Sequence, residues 1–362
     1  MNSGLDDVVA AETTLSDIDA SGGALIIRGR SLDELAGIAS YEETLALLWS
    51  GFFDETLDAA GLRRALGRAR AEIFPQLANR RALAARLPIV DAARALIAEL
   101  ADGDDFHTAL RLVAAPAVFT PAIVRIKRGQ EPIRPDPSRG HAADALRMLR
   151  PDASAEEGAA LDTYLVTVSD HGLNASTFAA RIVASTRAGL TSSALAGLSA
   201  LKGPLHGGAP GPVLDMLDAI GRPEAAEAWL EAALDSGERL MGFGHRVYRA
   251  RDPRADALKG AARRLARAGS DRDGRLALAE AVEAAALRIL ARRKPNRSLK
   301  TNVEFYTALL LEALGFPRDA FTAIFAMGRI GGWIAHAREQ AQSGRLIRPQ
   351  SRYVGPRPER AA

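Results

Sequence analysis

Residues 241–254 read Met-Gly-Phe-Gly-His-Arg-Val-Tyr-Arg-Ala-Arg-Asp-Pro-Arg, and they set one histidine, His245, in a glycine-flanked turn with arginines close behind. A neutral imidazole exchanges protons near pH 7, and a guanidinium grips a carboxylate through two parallel hydrogen bonds. Gly242 and Gly244 let the backbone come close to a ligand and take positive φ. Asp252 and Pro253 are N-cap and first-position signals of a helix, which puts Arg254 in its first turn. The helix dipole disfavours a cation there, so Arg254 is expected to meet an anion. Taken alone, the run reads equally well as a basic surface turn.

Two more histidines sit in turns. His171 follows a helix that Ser154 and Glu157 open with a capping box and Gly172 would close. His206 lies in Gly-Pro-Leu-His-Gly-Gly-Ala-Pro-Gly, a turn open to a ligand. Glu304, in Asn-Val-Glu-Phe-Tyr, is the acidic candidate, although taken alone, behind the capping Asn302, it reads first as a first-turn dipole partner. Asn174 and Ser176 read as caps of the next helix. Arg329 and His336, seven apart, share a helix face, and Arg348 precedes Pro349 near the tail. His107 and His141 near helix starts, and His336 on a helix face, read as ordinary histidines.

Several chemistries drop out. The turn at His206 lacks the Gly-Lys-Ser/Thr ending of a phosphate loop. Val247 stands where a dinucleotide fingerprint needs its third glycine, and no strand precedes it. There is no His-Glu-x-x-His, and the histidines are too dispersed for a metal site, so none is expected. No Gly-x-Ser-x-Gly nucleophile turn occurs. The chain has no cysteine, which removes disulfides, thiolate catalysis and cysteine-bound metals.

The elements that must hold these residues read as helices. The 362 residues are 48% hydrophobic and 25% charged, ordinary for a globular protein and enough for two domains. Alanine and leucine abound and aromatics are only 5%, a mixture that favours helix. Residues 14–28 alternate around Ser21-Gly22-Gly23 and predict a short hairpin. Helical spacing then recurs at 41–49, 63–70 and 91–100. After a proline-rich loop at 127–140, helices are expected over 154–170, 177–185 and 191–201, and from Pro212. The series continues with 224–234, 255–268, 276–292, 305–314 and 319–342. No internal repeat is visible. Glycine-rich turns at 207–211 and 242–244 are natural hinges, and the chain beyond Tyr353 should be extended or disordered. The net charge of +3 points to small anions rather than nucleic acid, and no aromatic–basic interleaving appears. The uncharged stretches 112–124 and 188–201 are too short to span a bilayer, and the opening residues lack signal-peptide character. No membrane partner is expected, and a cytoplasmic location is.

Together these segments resemble the citrate synthase family. The 242–254 turn fits that family's signature, and five further motifs follow its order: Asp-His-Gly-Leu-Asn-Ala-Ser-Thr (170–177), Gly-Pro-Leu-His-Gly-Gly-Ala (203–209), Asn-Val-Glu-Phe-Tyr (302–306), Gly-Arg-Ile-Gly-Gly-Trp-Ile-Ala-His (328–336) and Arg-Leu-Ile-Arg-Pro (345–349). The opening Val-Val-Ala-Ala-Glu-Thr-Thr-Leu-Ser-Asp-Ile-Asp is similar to that of the shorter bacterial members, which implies that the NADH-regulated extension of larger ones is absent. The resemblance implies a mainly α, two-domain, all-helical fold with the short N-terminal hairpin. The large domain would comprise 1–206 and 317–362, and the small domain 207–316. It implies condensation of acetyl-CoA with oxaloacetate and hydrolysis of the citryl thioester, with 2-methylcitrate synthesis from propionyl-CoA or a weakly catalytic ligand-binding relative as alternatives. His206, His245 and Glu304 would be catalytic. His171, Asn174, Arg254 and Arg329 would bind oxaloacetate, joined by Arg348 from the other subunit of a homodimer. Arg239, Leu240, Met241, Gly242, Phe243 and Arg249 would meet CoA, which is substrate and product, with no permanently bound cofactor. The sequence departs from the family twice: Glu304 replaces the usual aspartate base, and Pro210-Gly211 replaces Asn-Glu after His206.

Overall fold

A computed structural model describes residues 4–357 other than 6–7, 56–57, 208–209, 246–247, 249 and 271–273. The alternating residues near the start form strands β1 (Ser16–Asp19) and β2 (Ala24–Ile27), paired antiparallel with Ser16 opposite Ile27. A short third strand, β3 (Arg30–Ser31), pairs with β2 and extends the expected hairpin into a three-stranded sheet. Helices follow: α1 (Leu32–Leu35), α2 (Tyr41–Trp49), α3 (Ala59–Ile73), α4 (Arg81–Arg86), α5 (Ile89–Ile97) and α6 (Phe106–Lys127). The middle of the chain gives α7 (His141–Leu149), α8 (Ala155–Val168), α9 (Ala175–Ser185), α10 (Leu190–Leu201), α11 (Pro210–Ile220) and α12 (Ala226–Asp235). The last helices are α13 (Pro253–Leu265), α14 (Arg275–Arg293), α15 (Val303–Ala313) and α16 (Phe321–Ser343).

Capping fixes several of these starts. Ser40 with Glu43 and Ser154 with Glu157 form capping boxes on α2 and α8, satisfying amide donors that a helix start leaves unpaired. The chain from Gly344 to Arg357 has no regular secondary structure.

The core is continuous from Leu15 to Ala337 and is built mainly of leucine and alanine. Small side chains let helices approach closely. On α16, a Cβ at Gly328 would lie 2.5 Å from Val168 Cγ2 and one at Gly332 would lie 2.2 Å from the Ser169 carbonyl oxygen. Only glycine permits α16 to lie flat against the end of α8. Helix α6 is longer than the uncharged stretch 112–124 implied, and by length and composition alone it could cross a bilayer. In the fold 83% of its apolar window is buried, and it packs against α3, α5, α7 and α16 as a core helix.

Candidate active site

Helix α16 sets one wall. Arg329 is buried, and its Nε donates to the Val168 carbonyl at 2.5 Å, so the chain leaving α8 is held against α16. His171 follows directly and is 8% exposed: the residue expected at an open helix end is instead enclosed. Burial, helped by Arg254 and Arg329, holds its pKa well below 6.5, so the ring is neutral. Asn174 caps α9 by accepting from the amides of Ser176 and Thr177, both at 3.1 Å, and the helix starts at Ala175, earlier than read from sequence. Its Nδ2 donates back to the carbonyls of His171 and Gly172, which shapes the turn.

The opposite wall comes from two crossing segments. Phe243 forms an antiparallel bridge with Thr301, and the Gly244 amide donates to the Lys300 carbonyl at 2.7 Å. The Asn302 amide donates to the Gly242 carbonyl at 2.9 Å. Gly242 and Gly244 have φ of 84° and 85°, which glycine adopts without steric cost. Leu240 and Phe243 are buried in the core, Met241 is half-buried and Arg239 is exposed. Arg249 lies outside the described residues. Asn302 caps α15 by accepting from the Glu304 amide at 3.1 Å and ties it to the glycine turn through Nδ2 and the Gly244 carbonyl, 2.8 Å.

Arg254 does stand in the first turn of α13, but its expected anion is partly supplied from within. Asp252, 3% exposed, accepts from Arg254 Nε and Nη2, both at 2.9 Å, while capping the helix through the Arg254 amide. Its Oδ2 also accepts from the Val303 amide at 3.0 Å, joining the starts of α13 and α15. His245 Nδ1 accepts from the Tyr248 amide at 3.1 Å, and its Nε2 lies 3.0 Å from Arg254 Nη2. Burial, with Arg254 next, lowers the His245 pKa to about 4, so the ring is neutral. Its Nδ1 faces the Tyr248 amide and its Nε2 the Arg254 guanidinium, and these two N–H donors fix the imidazole beside Arg254 at the cavity wall. The Tyr248 hydroxyl, 3.1 Å from His171 Nε2, links the two histidines.

His206 is oriented in the same manner. Its Nε2 accepts from the Ser176 amide at 3.3 Å and lies 2.8 Å from Ser176 Oγ. Trp333 Nε1 donates to that Oγ at 3.2 Å. Burial lowers the His206 pKa to about 4, so Nδ1 carries the proton of a neutral ring. His206 is thus supported by α9 directly and by α16 through Trp333.

Glu304 is half-buried in the same space, and burial raises its carboxyl pKa to about 7 against the pull of Arg254 and Arg329. His171, Asn174, His206, His245, Arg254, Glu304 and Arg329 all line one cavity of about 690 Å³. Arg348 is exposed on the irregular segment after α16 and does not line this chain's own cavity. Among the described residues no group of three or more His, Asp or Glu side chains is placed to hold a metal ion. Another cavity, about 570 Å³ between α11, α13, α14 and α15, offers arginines that are already engaged, Arg150 with Glu157 and Arg275 with Asp218 and Glu312. Sequence reading missed Asp252 as the partner of Arg254, and Ser176 and Trp333 as the support of His206. Ser176 was legible only as a cap, and nothing in sequence brings residue 333 to residue 176.

Residues 4–350 match the family model described as citrate synthase, C-terminal domain. The chain belongs to the citrate synthase family. It is 37% identical to the citrate synthase of Haloferax volcanii over 97% of this chain and 95% of that one. The crystal structure of citrate synthase from Thermotoga maritima superposes with a TM-score of 0.84 at 33% identity, covering 98% of this chain and 96% of that one. A ternary complex of citrate synthase from Thermoplasma acidophilum with carboxymethyl coenzyme A and oxaloacetate gives a TM-score of 0.85 at 28% identity, covering 100% and 98%. The protein is thus a mainly α enzyme of the acyl-transferring, condensing type. It needs no permanently bound cofactor, and CoA enters as part of a substrate and leaves as a product.

Proposed function

We propose that the protein is a citrate synthase, condensing acetyl-CoA with oxaloacetate. The convergence of Glu304, neutral His206 and His245, and Arg254 and Arg329 in one cavity carries this reading. Glu304, ionised above about pH 7, takes a proton from the acetyl methyl group as that C–H bond breaks. His206 donates its Nδ1–H to the thioester oxygen and stabilises the enolate. The enolate carbon then forms the new C–C bond at the ketone carbon of oxaloacetate. His245 protonates the resulting alkoxide, and Arg254, Arg329 and His171 hold the two carboxylates. Water then hydrolyses the citryl thioester, giving citrate and CoA.

The catalytic groups come from two sets of elements. His171, His206 and Arg329 belong to the part formed by 1–206 and 317–362, and His245, Arg254 and Glu304 to 207–316. We assign these as a large domain and a small domain that closes over the substrates, with the backbone at 239–243 and Arg249 meeting CoA. The homodimer, with Arg348 supplied by the partner subunit, is supported by apolar side chains exposed around the cavity mouth, Leu5, Val8, Leu173 and Leu205. A chain using CoA esters and lacking cysteine suits the cytoplasm. The test is CoA release from acetyl-CoA and propionyl-CoA in parallel, with and without oxaloacetate. Release from acetyl-CoA that needs oxaloacetate is expected. A clear preference for propionyl-CoA makes the enzyme a 2-methylcitrate synthase, and equal release without oxaloacetate overturns the synthase reading.

A further inference from the structure

Behind the turn that carries His171 runs a line of buried polar side chains to which the reaction assigns no task. Asp170 and His336 are 0% exposed, Arg181 2% and Gln340 5%. His336 Nε2 lies 3.2 Å from both Asp170 oxygens, and its Nδ1 lies 3.0 Å from Arg181 Nη1. A guanidinium only donates, so Nδ1 accepts and Nε2–H faces Asp170. Arg181 sends Nη1 to Glu339 Oε2 at 2.6 Å and Nε to Gln340 Oε1 at 3.0 Å.

The two ends of this line are informative. At one end, Ser16 Oγ on β1 donates to Asp170 Oδ2 at 2.5 Å and accepts from the Gly172 amide at 2.9 Å. The residues on both sides of His171 are thereby fixed to the sheet. At the other end, Gln340 Nε2 donates to the Arg345 carbonyl at 3.0 Å, just after α16 ends. The Ile347 amide next donates to Ser185 Oγ at 3.1 Å, so the strap is held up to the residue before Arg348.

Stability alone does not call for such a line, because well-packed apolar side chains usually replace buried ionic groups without loss. What the line does specify is geometry at two distant places. We infer that the Asp170–His336–Arg181–Gln340 line is a positioning device that sets the His171 turn and the Arg348 strap together. Resting on the reading of Arg348 given above, it ties one subunit's oxaloacetate contact to the contact that subunit lends its partner. None of the four residues touches substrate. They act through His171 and Arg348.

The experiment pairs two substitutions at His336. His336→Gln keeps a donor toward Asp170 and an acceptor toward Arg181, whereas His336→Leu keeps neither. The leucine variant should raise KM for oxaloacetate about tenfold with little change in kcat, and the glutamine variant should stay near the parent value. Equal KM values in both, whatever their melting temperatures, overturn the proposal. Should His336→Leu fail to fold, Gln340→Met near the end of α16 cuts the line with little change of volume. It should raise KM for oxaloacetate much as Arg348→Ala does, and should add nothing in the Arg348→Ala background. Additive effects, or no effect of Gln340→Met where Arg348→Ala has a large one, break the link and leave the reading of Arg348 standing. If Arg348→Ala itself leaves KM unchanged, that reading fails instead, and the strap half of the proposal falls with it.

Discussion

Glu304 carries one methylene more than the aspartate usual at this place in the family, and it remains in the cavity beside two arginines. Its raised pKa ties catalysis and stability to the same proton. As the proposed base, Glu304 works in its ionised form, so turnover should fall as pH drops below about 7. The histidines, held neutral by burial, do not titrate there, since His206 and His245 sit near 4. The sign for stability is opposite. Between the ordinary carboxyl value of 4.5 and about 7, the unfolded chain has lost this proton and the folded one has kept it. The group therefore lowers stability as pH rises through that window, and the loss is complete above it. Glu304→Gln should cut turnover by about 10²–10⁴, the range for losing a general base. It should also raise the melting temperature at pH 8 by an amount on the order of a few °C, and leave it unchanged near pH 4. Turnover and thermal scans at both pH values check this, and a fully active glutamine variant would refute the role. Ser176→Ala probes His206 in turn. Without the hydroxyl beside Nε2, only the longer bond from the Ser176 amide orients the ring, so kcat should fall while oxaloacetate affinity holds. An unchanged kcat means Ser176 is only a helix residue.

At the scale of elements, the sequence was most legible where local chemistry decides. The capping box of α8, Asp252-Pro253 before α13 and Asn302 before α15 are written in adjacent residues, and all appear as helix starts. The hidden parts depend on distant residues. Asp252 looked like a cap and nothing more. In the fold it also neutralises Arg254 and accepts from the Val303 amide, so it holds two helix starts at a fixed separation. His336 looked like an ordinary helix-face residue, because no local signal brings Asp170 or Arg181 to it. Asp252→Asn tests the joint role. Removing one charge of a buried pair leaves Arg254 uncompensated, a loss of about 3–5 kcal/mol. Urea unfolding should show that loss, and turnover should drop because Glu304 sits one residue beyond the freed Val303 amide. Parent-like stability together with parent-like turnover would mean that Asp252 only caps α13.

For the whole molecule, the question is whether one chain makes a complete site. Within the chain, the cavity gathers groups from the turn after α8 and from α9, α13, α15 and α16, while Arg348 stays exposed at the far end of a strap that runs past α9. A strap pinned at Arg345 and Ile347 cannot swing back into its own cavity without breaking both hydrogen bonds. The proposed twofold dimer, in which each strap serves the other subunit, would give Arg348 that use. Two crippled chains then rescue each other. Arg348→Ala keeps Glu304 but lends its partner nothing, and Glu304→Ala lends Arg348 but lacks the base. In a mixed dimer the site built on the first chain is intact and the other is doubly impaired. Free exchange at equal amounts makes about half of all dimers mixed, so about a quarter of all sites should work. Each variant alone should be nearly inactive, and activity should climb toward that fraction as subunits exchange. If exchange is demonstrated by mass labelling and no activity returns, each chain completes its own site and the strap has another purpose.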